Sequence, residues 1–184
     1  MVTTSPSAGR GQVAPGDLES IRSLLNSWLI PNDSRQPTDR FEDLARQHHW
    51  REPEAALIRE LRDDLRHAVE TTDSGALNGW IERTGIRPAV EDDSLCYRHA
   101  AGPAGDLLAV VLAAISGGTW KRLKACPDCR WVFYDNTRNG SKRWCLMYAG
   151  GPDGRACGTI AKVRRYRDRQ AAASPPARRP LGTS

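Results

Sequence analysis

The sequence predicts a mainly α fold: a helical N-terminal domain with a small hairpin, followed by a second small hairpin built as a knuckle and by a basic helix. Three observations carry that prediction. Apolar residues recur at helical spacing through most of 17–118, the sign of the charge reverses near residue 118, and four of the five cysteines fall within 32 residues of the C-terminal third. The 184 residues suit one domain, or one with a small appendage, which excludes a large multi-domain machine. The expected division is a disordered tail at 1–16, the helical domain at 17–118, the knuckle with its basic helix at 119–170, and a second disordered tail at 171–184.

Both tails are rich in small and turn-forming residues, Ser, Gly, Pro and Thr at the start and Ala, Ser and Pro at the end. From Asp17, Leu18, Ile21, Leu25 and Trp28 share one helical face, and Pro31 closes that helix. Asp39 and Glu42 have the spacing of a capping box opening a short helix through Phe41, Leu44 and Ala45, which ends near His48. Pro53 suits a first helical turn, and Leu57, Ile58, Leu61, Leu65 and Val69 then trace a longer amphipathic helix. Ser74 is placed to cap a fourth, carrying Leu77, Trp80 and Ile81, which Gly85 stops. Residues 86–99 read as a hairpin turning at 91–94. Leu107, Leu108, Val110, Val111, Leu112 and Ile115 form a run apolar nearly all round, the expected buried central helix, ended by Gly117 and Gly118. Seven of the twelve aromatic residues then lie between Trp120 and Tyr166, in a segment too small for a conventional core. There, 130–134 suits a strand with Trp131 and Phe133 on one face, and Asn139-Gly140 signals a turn back toward 143–145.

Charge narrows the function classes. Residues 1–117 carry 12 Lys and Arg against 18 Asp and Glu, whereas 118–184 carry 15 against 4. The C-terminal third therefore suits a polyanionic partner, while the N-terminal part has another task. The longest apolar run, 107–115, is far short of the roughly 20 residues that cross a bilayer. With no hydrophobic stretch in 1–16 to serve as a secretory leader, the expected location is cytoplasmic. In that reducing setting, clustered cysteines point to a metal or redox site before they point to a disulfide.

Cys126, Cys129, Cys145 and Cys157 follow the pattern C-x2-C-x15-C-x11-C. A C-x2-C pair aims two thiolates at one tetrahedral ion, and a returning pair closes the site, which is the chemistry of structural zinc. No histidine follows His99, so the site is expected to be all-thiolate and the hairpin a zinc knuckle. A redox C-x-x-C calls for a βαβ setting and an iron–sulfur cluster for tighter spacing; neither is present. Cys96, well upstream, reads as a buried small side chain.

Downstream, Ile160, Val163 and Tyr166 share one helical side, Lys162, Arg165 and Arg169 lie opposite, and Arg164 and Arg167 flank the boundary. With Lys142 and Arg143, these are the candidate contacts to DNA phosphates or a groove. RNA binding through stacking on Trp131 or Tyr134, and a protein-interaction module, are the alternatives. Catalysis is not expected. His48, His49, His67 and His99 lack metal-ligand spacing, and no phosphate loop or nucleophile elbow occurs. The helical domain is left as the place for a small-molecule effector or protein partner, near Trp28, Trp80 and Tyr97.

The segment from Trp120 to Arg169 reads W-x-R-L-K-x-C-P-x-C, then W-V-F-Y-D, R-W-C and C-G-x-x-A-K-V-R-R-Y-R. It resembles the CGNR zinc-finger family, and the helical part is similar in pattern and order to the companion ABATE domain, described as a stress-induced transcription regulator. That resemblance implies a bacterial, zinc-dependent, DNA-binding transcription regulator. Two departures stand out. The signature Cys-Gly-Asn-Arg is here Cys157-Gly158-Thr159-Ile160, which loses a cation and an amide, and eleven residues separate the third and fourth cysteines where the family has a shorter spacer. Lengthening a flexible loop costs only about 0.6 kcal/mol per doubling, so ligation is expected to survive the insert.

Overall fold

A computed structural model describes residues 12–31, 34–146 and 156–173. In chain order the elements are α1 (Leu18–Leu25), β1 (Trp28–Leu29), β2 (Thr38–Asp39), α2 (Phe41–Gln47), α3 (Glu54–Thr71), α4 (Gly75–Thr84), β3 (Arg87–Glu91), β4 (Ser94–Arg98), α5 (Gly102–Ser116), a single 3-10 turn (Trp120–Arg122), β5 (Leu123–Ala125), β6 (Val132–Tyr134) and α6 (Cys157–Ala173). The strands pair as three separate antiparallel two-stranded sheets, β1–β2, β3–β4 and β5–β6. With about 51% helix and 14% strand among the described residues, this is a mixed α/β fold, and the mainly α expectation is corrected. None of the helices is long and apolar enough to cross a membrane among the described residues.

The first correction shows its cause. Trp28, read as the last apolar position of the first helix, lies in β1, and α1 stops at Leu25. Asn26 leaves the helix because its side chain is committed elsewhere. Its amide donates to the Val132 carbonyl at 2.8 Å and accepts from the Val132 N–H at 2.8 Å, extending the ladder of β6 as a strand would. Asn26→Ala leaves the buried Val132 N–H without its partner, while the carbonyl keeps Arg22 at 3.3 Å, and is expected to cost about 1–3 kcal/mol, read as a lower denaturant midpoint with unchanged slope.

Other helices follow the sequence more closely. Asp39 Oδ1 accepts from the Phe41 N–H at 2.9 Å at the start of α2, but Glu42 does not reach back and pairs with Arg59 across to α3. Asp73, not Ser74, accepts from the Gly75 N–H to open α4. That helix ends where Gly85 takes φ +60°. The β3–β4 hairpin runs from Arg87↔Arg98 to Glu91↔Ser94. Helix α5 is the most embedded element, packed by α1, α3, α4 and β4, yet only a stripe of it is fully buried and Ile115 is exposed.

The core is continuous across residue 118. Ile21, Leu25, Leu61, Leu65, Trp80, Leu108 and Val111 are buried together with Leu123, Val132 and Tyr134 of β5–β6. Each large side chain so buried contributes about 1.5–3 kcal/mol. Residues 12–16, inside the stretch read as a tail, are also packed: Gln12 and Ala14 are buried, and Gln12 Oε1 accepts from the Leu146 N–H at 2.7 Å. Helix α6 continues through 171–173 of the expected C-terminal tail, while 1–11 and 174–184 lie outside the described residues. The hairpin of the C-terminal part also differs from its expectation. The strand 132–134 pairs upstream with 123–125, around the C-x2-C turn, instead of downstream with 143–145.

Candidate metal centre

The short hairpin decides where the first two sulfurs go. Cys126 follows the last residue of β5, and the turn through Pro127 and Asp128 brings back Cys129. Backbone bonds close the knuckle, Arg130 N–H to Cys126 O at 2.9 Å and Cys126 N–H to Trp131 O at 2.9 Å, with Arg130 at φ +59°. The helical part holds this turn from behind. The Ile30 N–H donates to Cys129 O at 3.1 Å, and buried Arg66 of α3 donates to the Leu25, Trp28 and Arg130 carbonyls at 2.5, 3.0 and 3.1 Å. Strand alternation then splits the rings as expected for Trp131 and Phe133. Phe133 packs on the sulfurs with Trp131 beside it, while Val132 and Tyr134 face the helical core.

The remaining two sulfurs arrive from outside the hairpin. Cys145 ends a loop organised by Asp135, and Cys157 is the first residue of α6. Gly158 sits against the Trp144 ring, where a Cβ would lie 3.2 Å from Cγ, so a side chain there would push the ring off the cluster. The insert between them, 147–155, lies outside the described residues.

All four sulfur atoms lie within 4.8 Å of one another and all four residues are buried. None forms a disulfide. Cys129 and Cys145 are 3.3 Å apart and Cys145 and Cys157 3.7 Å, close to the about 3.8 Å edge of a tetrahedron with 2.3 Å metal–sulfur bonds. The donor set argues the same way. Hydrogen bonds from Cys129, Cys145 and Cys157 hold the Cys126 thiol far below its ordinary value, whereas the bond each gives to Cys126 pushes Cys129 and Cys145 far above theirs. Independently of those shifts, several thiolates gathered in one dry pocket need a cation to balance their charge. A soft dication that prefers four sulfurs meets the need, and the cluster fits Zn2+.

Residues 122–170 match the family model of the CGNR zinc finger. No curated protein matches the chain. The matched stretch takes in the four predicted ligands, and among the described residues these cysteines are the one group of three or more His, Cys, Asp or Glu placed to hold a metal ion. Cys96 lies away from them on β4, half-buried, with its Sγ 3.4 Å from the Ala89 carbonyl.

The predicted nucleic-acid contacts fall in two places. Lys162, Arg164, Arg165, Arg167 and Arg169 are all exposed along α6, and among the described residues none of them forms a salt bridge. Ile160 and Val163 are half-buried at the finger end of that helix, but Tyr166 is 57% exposed, so only its first turns are covered. Lys142 and Arg143 instead line a cleft beside β5. Tyr134 is buried in the main core, while Trp131 is half-buried against the sulfur cluster, so of the two rings proposed to stack on RNA bases only Trp131 is partly accessible. Trp80 is buried with its N–H on Asp64 at 2.7 Å, and Trp28 lies under the Arg66 guanidinium at 4.6 Å. Tyr97 is half-buried with its hydroxyl 3.5 Å from the Leu112 carbonyl.

Sequence reasoning missed the second hub of the finger. Asp135 is fully buried; its Oδ2 accepts from Lys124 Nζ and the Lys142 N–H, both at 2.8 Å, and its Oδ1 from the Thr137 N–H at 3.0 Å and hydroxyl at 2.5 Å. Burial alone would raise this carboxyl, but Lys124 and Thr137 together hold it well below the usual carboxylate range. The signal was present: an Asp two residues before a Thr at a strand end is an Asx turn.

Proposed function

We propose that the protein is a zinc-dependent, DNA-binding transcription regulator of bacterial type, with an ABATE-like helical part and a CGNR finger, acting by binding and not by catalysis. One observation carries this reading. Five exposed cations that form no salt bridge among the described residues lie along α6, a helix whose first residue is itself a candidate metal ligand, so the ion would fix the direction in which that positive rod points. Cations held this way suit phosphate contacts, which position a protein on duplex DNA.

Anisotropy titrations of the zinc-loaded protein on labelled duplex DNA test it. Log affinity is expected to fall linearly with log salt, at about −0.9 per neutralised phosphate, and Lys162→Ala with Arg165→Ala and Arg169→Ala should flatten that slope by about 3. Absence of salt-sensitive binding to every duplex in a random pool would defeat the proposal. The finger as a protein-interaction module gains support from the same helix, where Ile160 replaces the signature arginine and Tyr166 is exposed. That alternative requires a partner retained after nuclease treatment and lost when Cys126 is replaced.

A further inference from the structure

A cleft of about 550 Å3 opens between the last turns of α3 and the finger. Its floor is apolar, with Val69, Ala125 and the half-buried Trp120 ring, and its rim carries Lys121, Lys142 and Arg143. Among the described residues no carboxylate lines it. Lys124, at its edge, has its charge satisfied inside the finger by Asp135 and the Gly140 and Lys142 carbonyls. The three rim side chains, by contrast, pair with no acid and donate to no protein group among the described residues. Two other clefts among the described residues are neutralised internally. Beside Trp28, Arg62 and Arg66 are answered by Asp39, Asp63 and Glu70, and beside Pro53, Arg83 is answered by Glu60.

We propose that this cleft binds a small aromatic carboxylate, its ring on Val69 and Trp120 and its carboxylate between Lys121 and Arg143. The volume lies within the about 300–1,000 Å3 of pockets that enclose small organic ligands. An inorganic anion would leave the apolar floor wet, and an uncharged ring would leave three clustered cations unanswered, so the occupant must carry both features. Duplex DNA would meet the rim alone, since its bases stay stacked. Pro127 of the knuckle also lines the cleft, and Arg143 stands two residues from Cys145, so a bound ligand would brace the finger against α3. This site stands whether or not the protein binds DNA.

Calorimetric titration of the zinc-loaded protein with 2-naphthoate, and with uncharged 2-naphthalenemethanol, tests it. One saturable naphthoate site is expected, with the alcohol about tenfold weaker. Lys121→Glu with Arg143→Glu should weaken naphthoate by about tenfold and leave the alcohol unchanged, while Val69→Phe, which fills the floor, should weaken both. Zinc content and melting temperature verify the fold of each variant, and the two rim substitutions are on exposed side chains that form no hydrogen bond or ion pair among the described residues. No saturable binding at millimolar naphthoate overturns the proposal, as does equal binding of acid and alcohol. Loss of duplex binding by the rim variant with naphthoate affinity unchanged assigns the rim to nucleic acid and overturns it equally.

Discussion

Cys145→Ser is expected to empty the sulfur cluster of metal and to melt α6. The wild-type chain should carry one zinc, and structural zinc in small finger domains contributes an apparent 10–16 kcal/mol, about all the stability such units have. Helix α6 depends on it most. Most helical stability in proteins comes from tertiary packing, and this helix is anchored only at its start, by Cys157, by Gly158 under Trp144 and by half-buried Ile160 and Val163, with an exposed cationic remainder among its described side chains. Hydrogen exchange in 157–170 should therefore rise to the rate of an open chain, and far-ultraviolet circular dichroism should lose about one helix. The helical part should survive, because most of its core is made by α1, α3, α4 and α5, though weakened where Val132 and Tyr134 contribute. Cys96→Ser should change neither zinc content nor exchange. A Cys145→Ser chain that keeps one equivalent of zinc and a protected α6 would show that the metal, if any, sits elsewhere.

The contrast between what the sequence disclosed and what it hid is one of contact range. Three helices were legible because their apolar stripes and breakers are local: Leu57 to Val69 with Pro53 for α3, Gly85 for α4 and the Gly117-Gly118 pair for α5 each act within a few residues of themselves. The sulfur ligands were legible because C-x2-C restricts geometry by covalent reach. Most hidden features depend on partners far along the chain, whereas the Asp135 hub is built largely from neighbours such as Thr137 and Lys142. Asn26 ends α1 for the sake of Val132, more than a hundred residues away, and Gln12 is ordered by Tyr134, Trp144 and Leu146. The Asn139-Gly140 turn signal was real but served a different purpose. Gly140 takes φ +59° and offers its carbonyl to Lys124, so the turn folds the loop onto the Asp135 hub instead of joining two strands. Strand pairing around the knuckle followed from that choice, since β6 already had a partner in β5.

Asp135→Asn is the second change with a large expected cost, about 3 kcal/mol, because it keeps the shape of the hub and removes its charge. The carboxylate serves four donors, and an amide can accept from fewer of them while presenting its own N–H to Lys124 or to the Thr137 hydroxyl. Lys124 would then lack a counter-ion beside the two carbonyls that fix it. The pH dependence identifies the mechanism. With its folded value held below the ordinary 3.8, Asp135 contributes its full stabilisation above about pH 5, and that contribution disappears as pH falls through the lowered folded value. Denaturant unfolding should therefore show a constant gap between wild type and Asp135→Asn from pH 7 to about 5, narrowing below about 4. Metal content measured at each pH separates this from release of zinc on thiolate protonation, which acts on both chains. Lys124→Met in the Asp135→Asn background should cost less than the two changes summed, the mark of a shared ion pair; strict additivity would mean that the hub is held by the backbone donors alone.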